Sequence, residues 1–381
     1  MTPPLHVLVV DDSAVVREAM AAVLSTAGGF TVSTAADPIV ARRKIAVKRP
    51  HVILLDLEMP REDGLHFLRD LIATDPIPVV ICSSHSAAGS RAALDALREG
   101  AVDVVAKPRV GVREFVQESA VLIADAVRAA AMTPVRRGSV IARGRASGEM
   151  PASSAVPRGG SIETTAADVV HAARIPSDRV IAIAASTGGP QALTELLAAL
   201  PVGTPGIVVV QHMPAGFTNG FARHLDRLCA IEVKEAESGD VVVDGRALIA
   251  PGDQHLAIVR RRGSLVVEVF GGPLVLRHRP SADLLFRSTA RVAGASALGV
   301  ILTGMGDDGA LALRALRDAG AMTVAQDEAS SVVYGMPREA VQAGGVMRVL
   351  PLQAMASCIM QWTSDGASPE RLRPSLTSSL G

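Results

Sequence analysis

Val7-Leu8-Val9-Val10-Asp11-Asp12 is a short apolar run that stops on two carboxylates. With no polar residue on either alternating face, it reads as a strand buried on both sides, as in a parallel sheet covered by helices. The chain then repeats the pattern: Phe30–Ala35, Val52–Leu55, Val79–Cys82 and Val102–Ala106 are further apolar runs. Ala14–Leu24, Pro38–Lys48, Gly64–Ala73, Arg91–Glu99 and Val112–Arg128 carry helical spacing. Five β-α units in series predict one doubly wound α/β domain.

The full length of 381 residues exceeds one ordinary core. From about Met132 to Asp178 the periodicity gives way to Ala, Ser, Gly, Pro and Arg, a composition too poor in apolar surface to offset its ordering entropy. We read it as a flexible linker. Strand signals return at Val180–Ala184, Gly206–Val210, Ala247–Ile249, Leu256–Val259, Leu265–Val269, Leu298–Leu302 and Met322–Ala325, with helices at Gln191–Leu200, Ala310–Ala319 and Arg338–Ala343. Between Glu232 and Phe270, Asp244-Gly245 and Arg261-Arg262-Gly263-Ser264 are turn signals that predict antiparallel hairpins. The expected organisation is a first domain over 1–128, a basic linker over 129–178, a second α/β domain over 179–364 and a disordered tail over 365–381.

The 38 basic and 38 acidic residues cancel, which argues against a protein that coats nucleic acid or an anionic membrane. The balance is regional: residues 1–125 carry 13 basic and 16 acidic groups, 126–178 carry 7 and 4, and 179–381 carry 18 and 18. Cys82, Cys229 and Cys358 are odd in number and far apart, so no disulfide framework or zinc ribbon is readable and a reducing compartment fits. The N-terminus lacks the basic region and apolar length of a signal peptide, and no run approaches the roughly 18 uncharged residues of a spanning helix. A soluble, cytoplasmic monomer is expected, without membrane insertion.

Asp11 and Asp12 follow one strand and Asp56 ends another, so three acids converge on the carboxyl edge of the sheet, where open α/β folds bind ligands. Oxygen-only ligands suit a hard cation such as Mg2+ that also takes a phosphoryl oxygen. Ser83 and Lys107 end two further strands, placed to meet a phosphoryl group on Asp56. Single acids after strands are often helix caps, but three acids with Lys107-Pro108 in register exceed that explanation. With Val10-Asp11-Asp12-Ser13, Asp56-Leu57-Glu58-Met59-Pro60, Asp63-Gly64, Ser83-Ser84 and Lys107-Pro108, residues 5–125 resemble a response-regulator receiver domain. The resemblance implies a flavodoxin-like fold with a five-stranded parallel sheet. It also implies that Asp56 accepts a phosphoryl group from a CheA-type histidine kinase, that Asp11, Asp12 and Asp56 hold Mg2+, and that Ser83 and Lys107 sense the phosphoryl group. Val104 departs from the pattern, standing where receivers usually carry an aromatic switch residue.

In the second domain, Val180-Ile181-Ala182-Ile183-Ala184-Ala185-Ser186-Thr187-Gly188-Gly189-Pro190 is a strand, a serine and a Gly-rich turn into a helix. A serine there presents its hydroxyl beside free N–H groups at a helix start, which can stabilise an oxyanion. A helix N-cap or a nucleotide-binding turn would explain the serine alone, although G-x-G-x-x-G is absent. His212 ends the next strand, and Asp307 and Asp308 follow a third in a Gly-rich loop. A hydroxyl needs a base, and the base needs a carboxylate to fix its tautomer, so Ser186, His212 and one of the two aspartates satisfy nucleophilic catalysis. Spacing does not choose between Asp307 and Asp308. No His/Cys/Asp spacing suggests a catalytic metal.

Ala185-Ser186-Thr187-Gly188-Gly189, Gln211-His212-Met213-Pro214-Ala215-Gly216-Phe217, Arg277-His278-Arg279-Pro280-Ser281-Ala282-Asp283, Leu302-Thr303-Gly304-Met305-Gly306-Asp307-Asp308-Gly309 and Tyr334-Gly335-Met336-Pro337 give residues 179–361 a close resemblance to the CheB-type methylesterase catalytic domain. The resemblance implies a Rossmann-like α/β hydrolase domain with a β-hairpin insertion and a triad of Ser186, His212 and Asp308. Thr187, Gly188 and Met305 would support the oxyanion, and no cofactor would serve ester hydrolysis. Arg277 and Arg279 are candidate substrate contacts, with His278 between them on that edge; His255 reads as structural. The implied activity is hydrolysis of glutamate methyl esters on methyl-accepting chemotaxis receptors, with glutamine deamidation as a second reaction. Phosphorylation of Asp56 would release a receiver that covers the active-site edge. The rival from another class is a non-enzymatic module with a nucleotide-binding or docking second domain; a DNA-binding output is disfavoured because that domain is neither basic nor of helix-turn-helix pattern.

Overall fold

The computed structural model describes residues 3–59, 63–84, 86–107, 113–133 and 176–364. Most of the expected linker and the whole expected tail lie outside the described residues.

The N-terminal sheet contains β1 (Leu5–Val10), β2 (Phe30–Ala35), β3 (Val52–Asp56), β4 (Val79–Ser83) and β5 (Asp103–Ala106), in the order β2-β1-β3-β4-β5. All neighbours run parallel. Helices α1 (Ala14–Ala27), α2 (Pro38–Val47), α3 (Gly64–Thr74), α4 (Ala87–Arg98) and α5 (Arg113–Ala131) connect and cover it. Their starts are set locally. The side chains of Ser13, Asp37 and Asp63 accept from the N–H groups of Val16, Val40 and Leu65, satisfying donors that the first turn leaves free. All five residues of β3 and of β4 are buried, which accounts for the apolar run of four that precedes Asp56 in one and Ser83 in the other.

The C-terminal domain begins with β6 (Val180–Ala185), α6 (Gly189–Ala198), β7 (Gly206–Gln211), α7 (Thr218–Asp226), β8 (Glu232–Glu235), β9 (Arg246–Ile249), β10 (His255–Arg261) and β11 (Ser264–Phe270). It continues through α8 (Ala282–Val292), β12 (Ala297–Ile301), α9 (Ala310–Asp318), β13 (Met322–Gln326), α10 (Met336–Gln342), β14 (Arg348–Leu350) and α11 (Leu352–Ser364). Seven parallel strands follow the order β14-β13-β12-β6-β7-β9-β8, and β10 with β11 forms a separate antiparallel hairpin. Every residue of central β6 and β7 is buried. At about 1.5–3 kcal/mol for each fully buried Val or Ile, these strands anchor the core.

One expectation is corrected. Glu232–Ile249 is not an antiparallel hairpin, because β8 pairs parallel with β9. The segment between them first crosses to the hairpin, where Gly239 N donates to Val267 O and Val242 N to Leu265 O, and that excursion lets the chain re-enter in the same direction. Asp244-Gly245 does form a turn, with Gly245 at φ +72°, but it leads into β9 rather than joining two antiparallel strands; a Cβ there would also lie 2.5 Å from Val202 O. Asp-Gly thus marked a real turn, but not the strand pairing expected around it.

The two domains meet face to face. Gln191 Nε2 donates to Leu97 O at 3.1 Å and Ala101 O at 3.2 Å, and Arg98 Nε donates to His224 Nε2 at 3.2 Å. The contact face of the N-terminal domain is built from α4, β5 and α5.

Candidate active site

In the first domain the strand order reverses between β1 and β3, and the acids gather there. One ligand oxygen from each of Asp11, Asp12 and Asp56 lies within 4.8 Å of the others. Asp11 and Asp56 are buried, and Lys107 Nζ sits 3.0 Å from Asp11 Oδ2 and 2.7 Å from Asp56 Oδ2. Burial raises the Asp11 pKa against the opposing charge of Lys107; the two carboxylates in turn overcome the burial of Lys107 and raise its pKa. Among the described residues no hydrogen-bond donor satisfies either Oδ2 beyond this shared ion pair. Two buried carboxylates with one cation between them, and a third acid alongside, are a donor set that fits a divalent cation. Ser83 is buried at the end of β4 and its hydroxyl makes only a long 3.5 Å contact to Ser84 O. Glu58, not assigned a role from sequence, accepts from Ser84 Oγ at 2.9 Å.

In the second domain the reversal falls at β6, with β7 on one side and β12 on the other. Ser186 follows β6, His212 follows β7 and Asp308 lies in the loop after β12. Asp308 is fully buried, and four donors reach its carboxylate. His212 Nε2 donates to Oδ2 at 2.8 Å, Ala282 N to Oδ2 at 2.7 Å, Ser281 Oγ to Oδ1 at 2.7 Å and Asp283 N to Oδ1 at 3.1 Å. Burial alone would raise its pKa; the His212 hydrogen bond and charge, then His278 and Ser281, outweigh that and hold it below the ordinary value. Asp307 instead pairs with Arg277 at 3.2 Å on the surface, which separates the two adjacent aspartates.

An ionised carboxylate has no proton to give, so Nε2 of His212 carries the proton of this bond and Nδ1 is left with its lone pair. Nδ1 is buried and has no hydrogen-bond partner among the described residues, Ser186 Oγ included. His278 stacks on the His212 ring with centroids 3.8 Å apart and planes 11° from parallel. Its Nδ1 donates to Leu276 O at 2.7 Å, and burial, then the neighbouring His212, pushes its pKa down to about 3. His278 is therefore a neutral, buried support for the His212 ring and not part of an exposed edge with Arg277 and Arg279. His212, His278 and Asp308 have the composition of a metal site. Parallel rings, however, direct their in-plane lone pairs side by side rather than at one ion.

Gln211 fixes the two loops to each other: its Nε2 donates to Ser186 O and to His212 O, both at 3.0 Å. The Gly-rich turn is sterically required. Gly188 has φ +78°, and a Cβ there would lie 2.4 Å from Val332 Cβ. Ser186, Thr187, Met305, Arg277 and Arg279 line one cavity of about 220 Å³, whose opposite wall comes from β5 and α5 of the first domain. Arg279 Nε pairs with Asp253 Oδ1 at 2.9 Å. His255 is buried away from the triad, with Nε2 2.9 Å from Pro273 O. Sequence reasoning assigned no role to Gln211 or Ser281 and put His278 on the substrate edge; a polar side chain closing a buried strand, as Gln211 does, was the available signal.

Fold and site together define an α/β hydrolase-type domain facing an acidic receiver-type domain. The family described as CheB methylesterase matches residues 181–359, and the response regulator receiver domain matches residues 7–117. The chain is 55% identical over 354 residues to "Protein-glutamate methylesterase/protein-glutamine glutaminase 5" of Anaeromyxobacter dehalogenans, covering 92% of this chain and 95% of that protein. It is 51% identical to protein 2 of the same name from Xanthomonas campestris pv. campestris, over 92% of this chain and 98% of that one. The crystal structure of the Thermotoga maritima CheB methylesterase catalytic domain matches with TM-score 0.47 and 35% identity, over 48% of this chain and 98% of that chain. The chain belongs to the CheB methylesterase family. It is an enzyme, a hydrolase of the methylesterase class carrying a response-regulator receiver whose acidic cluster fits a divalent cation. Among the described residues no helix is long and apolar enough to cross a membrane.

Proposed function

We propose that this enzyme hydrolyses γ-glutamyl methyl esters on methyl-accepting chemotaxis receptors in the cytoplasm, deamidates receptor glutamines as a second reaction, and so sets sensory adaptation. The observation that carries the reading is the saturated Asp308 carboxylate aligning His212, with Ser186 at the end of the neighbouring central strand. His212 Nδ1 takes the proton of Ser186 Oγ as that oxygen attacks the ester carbonyl. Collapse of the tetrahedral adduct expels methoxide, which leaves as methanol with the proton from Nδ1, and a glutamyl-serine ester remains. Water then gives a proton to Nδ1 and attacks that ester, and Ser186 recovers the proton as glutamate departs. Asp308 stays ionised throughout, stabilising the imidazolium through Nε2. Backbone N–H groups of the Thr187-Gly188 turn and of Met305 serve the oxyanion, and Arg277 and Arg279 flank the incoming receptor helix.

Asp56 is the phosphoacceptor, with a CheA-type histidine kinase as donor. Asp11, Asp12 and Asp56 would hold Mg2+, which supplies charge neutralisation for phosphoryl transfer, while Lys107 and Ser83 contact the transferred group. Docked over the cavity, the unphosphorylated receiver keeps substrate out, and phosphorylation weakens that docking. Methanol release from methylated receptors tests the reading: wild type should turn over, Ser186→Ala should not, and acetyl phosphate should activate wild type. Substantial residual release by the Ser186 variant would refute the nucleophile assignment.

A further inference from the structure

The catalytic pocket already contains a carboxyl group that its own domain does not supply. Asp103 opens β5 of the receiver, and its Oδ2 accepts a hydrogen bond from Thr187 Oγ1 at 2.7 Å while its Oδ1 accepts from Val104 N at 2.8 Å. Thr187 directly follows Ser186, and Asp103 lines the same cavity as Ser186 and His212. Hydrolysis of a glutamyl ester leaves a side-chain carboxyl group, and an aspartate carries that group on a stem one methylene shorter. We propose that Asp103 is an intramolecular product analogue: held on Thr187, it pins the receiver over the triad and takes the place of the carboxyl group that catalysis releases. The proposal rests on the gated-esterase reading and adds which receiver side chain closes the gate, and by what chemistry.

The surroundings favour the neutral acid. Burial pushes the Asp103 pKa up to about 6, against the Thr187 and Val104 hydrogen bonds and the nearby His212, all of which favour the charge. The other titratable or charged groups around this cavity are His278, Arg277, Arg279 and Asp253 of the catalytic domain and Asp125 of α5. A carboxyl with a higher pKa when docked favours docking while protonated, so this contribution is full below the ordinary 3.8 and is lost as pH rises towards about 6. The second interdomain contact has the opposite sign. Burial, Arg98 and Arg227 push His224 down to about 4, so acid protonates the undocked form and weakens docking. Docking therefore takes up a proton at Asp103 and releases one at His224, and the two slopes oppose each other in the intact protein.

The test is methanol release by the full chain from membrane vesicles carrying methyl-esterified receptor, with and without acetyl phosphate. Asp103→Ala should raise the unphosphorylated activity about 3- to 10-fold, the loss of one interface hydrogen bond, and leave the phosphorylated activity unchanged. Asp103→Asn keeps an acceptor of the same shape without a charge, so at pH 7.5 its unphosphorylated activity should lie at or below wild type. Between pH 7 and pH 5, with the proton uptake at Asp103 removed and the release at His224 kept, the ratio of unphosphorylated to phosphorylated activity should rise in Asp103→Asn more than in wild type. An Asp103→Ala protein that is activated by acetyl phosphate from the same basal level as wild type overturns the proposal. A wild type that acetyl phosphate does not activate overturns the gated reading instead.

Discussion

The two parallel sheets of this protein each have a central switch point, between β1 and β3 and at β6, and each switch point holds buried aspartate, yet the aspartates are supplied in opposite ways. At the receiver reversal, Asp11 and Asp56 share a single ammonium and their outer oxygens have no further donor among the described residues. At the catalytic reversal, Asp308 alone receives four hydrogen bonds. The first arrangement leaves negative charge in excess, a donor set that fits a divalent cation from outside. The second is complete in itself and exports its charge to one imidazole. The number of donors around a buried carboxylate thus separates a site that awaits a ligand from one that orients a neighbour.

That contrast can be broken at several points. Ser186→Ala should have the largest effect, lowering methanol release by about 10⁵-fold or more, since a triad serine has no substitute. Asp308→Asn should lower kcat by about 10³–10⁴-fold, because an amide no longer enforces the His212 tautomer; an effect below tenfold would show that the four donors serve structure only. Chelation by EDTA should abolish the whole acetyl phosphate-dependent gain at Asp56 while leaving basal ester hydrolysis unchanged, and a parallel loss of both would erase the distinction between the sites. His278→Gln should lower kcat by about 10–100-fold with little change in KM, as expected when the stacked ring that fixes His212 is lost. Gly309→Ala should act mainly on stability, by about 1–3 kcal/mol in urea unfolding. Its φ is +87° and the new Cβ would meet Ala282 Cβ at 2.9 Å.

Most strands of both domains were legible because parallel strands buried on two faces are unbroken apolar runs, as in Val180–Ala185, whereas the partly exposed edge strands β8 and β14 were not. Residues at their carboxyl ends were legible for the same reason: once a strand is placed, its last residue is at the functional edge. What escaped the sequence was what depends on two distant segments meeting. The parallel pairing of β8 with β9 is fixed by an excursion to the hairpin, which local turn chemistry does not reveal. Helix α8 is amphipathic and capped by Ser281, so the helix itself was readable; that it brings Ser281 and two backbone N–H groups to Asp308 was not. His278, between two arginines, looked exposed until the fold turned its ring beneath His212. Asp103 gave no signal, since its partner Thr187 lies in another domain.

The chamber between the domains gives the closed state a property of its own. Its volume of about 220 Å³ admits several water molecules, but a receptor helix, about 10–12 Å across with its side chains, is far too wide. Val104, on the receiver wall where an aromatic ring is usual in such domains, leaves that space unfilled. The docked receiver is therefore a sieve rather than a seal, selecting by size what reaches Ser186. Small soluble esters that fit the chamber should depend on phosphorylation only through displacement of Asp103 from Thr187, whereas esters borne on a helix need the receiver to leave.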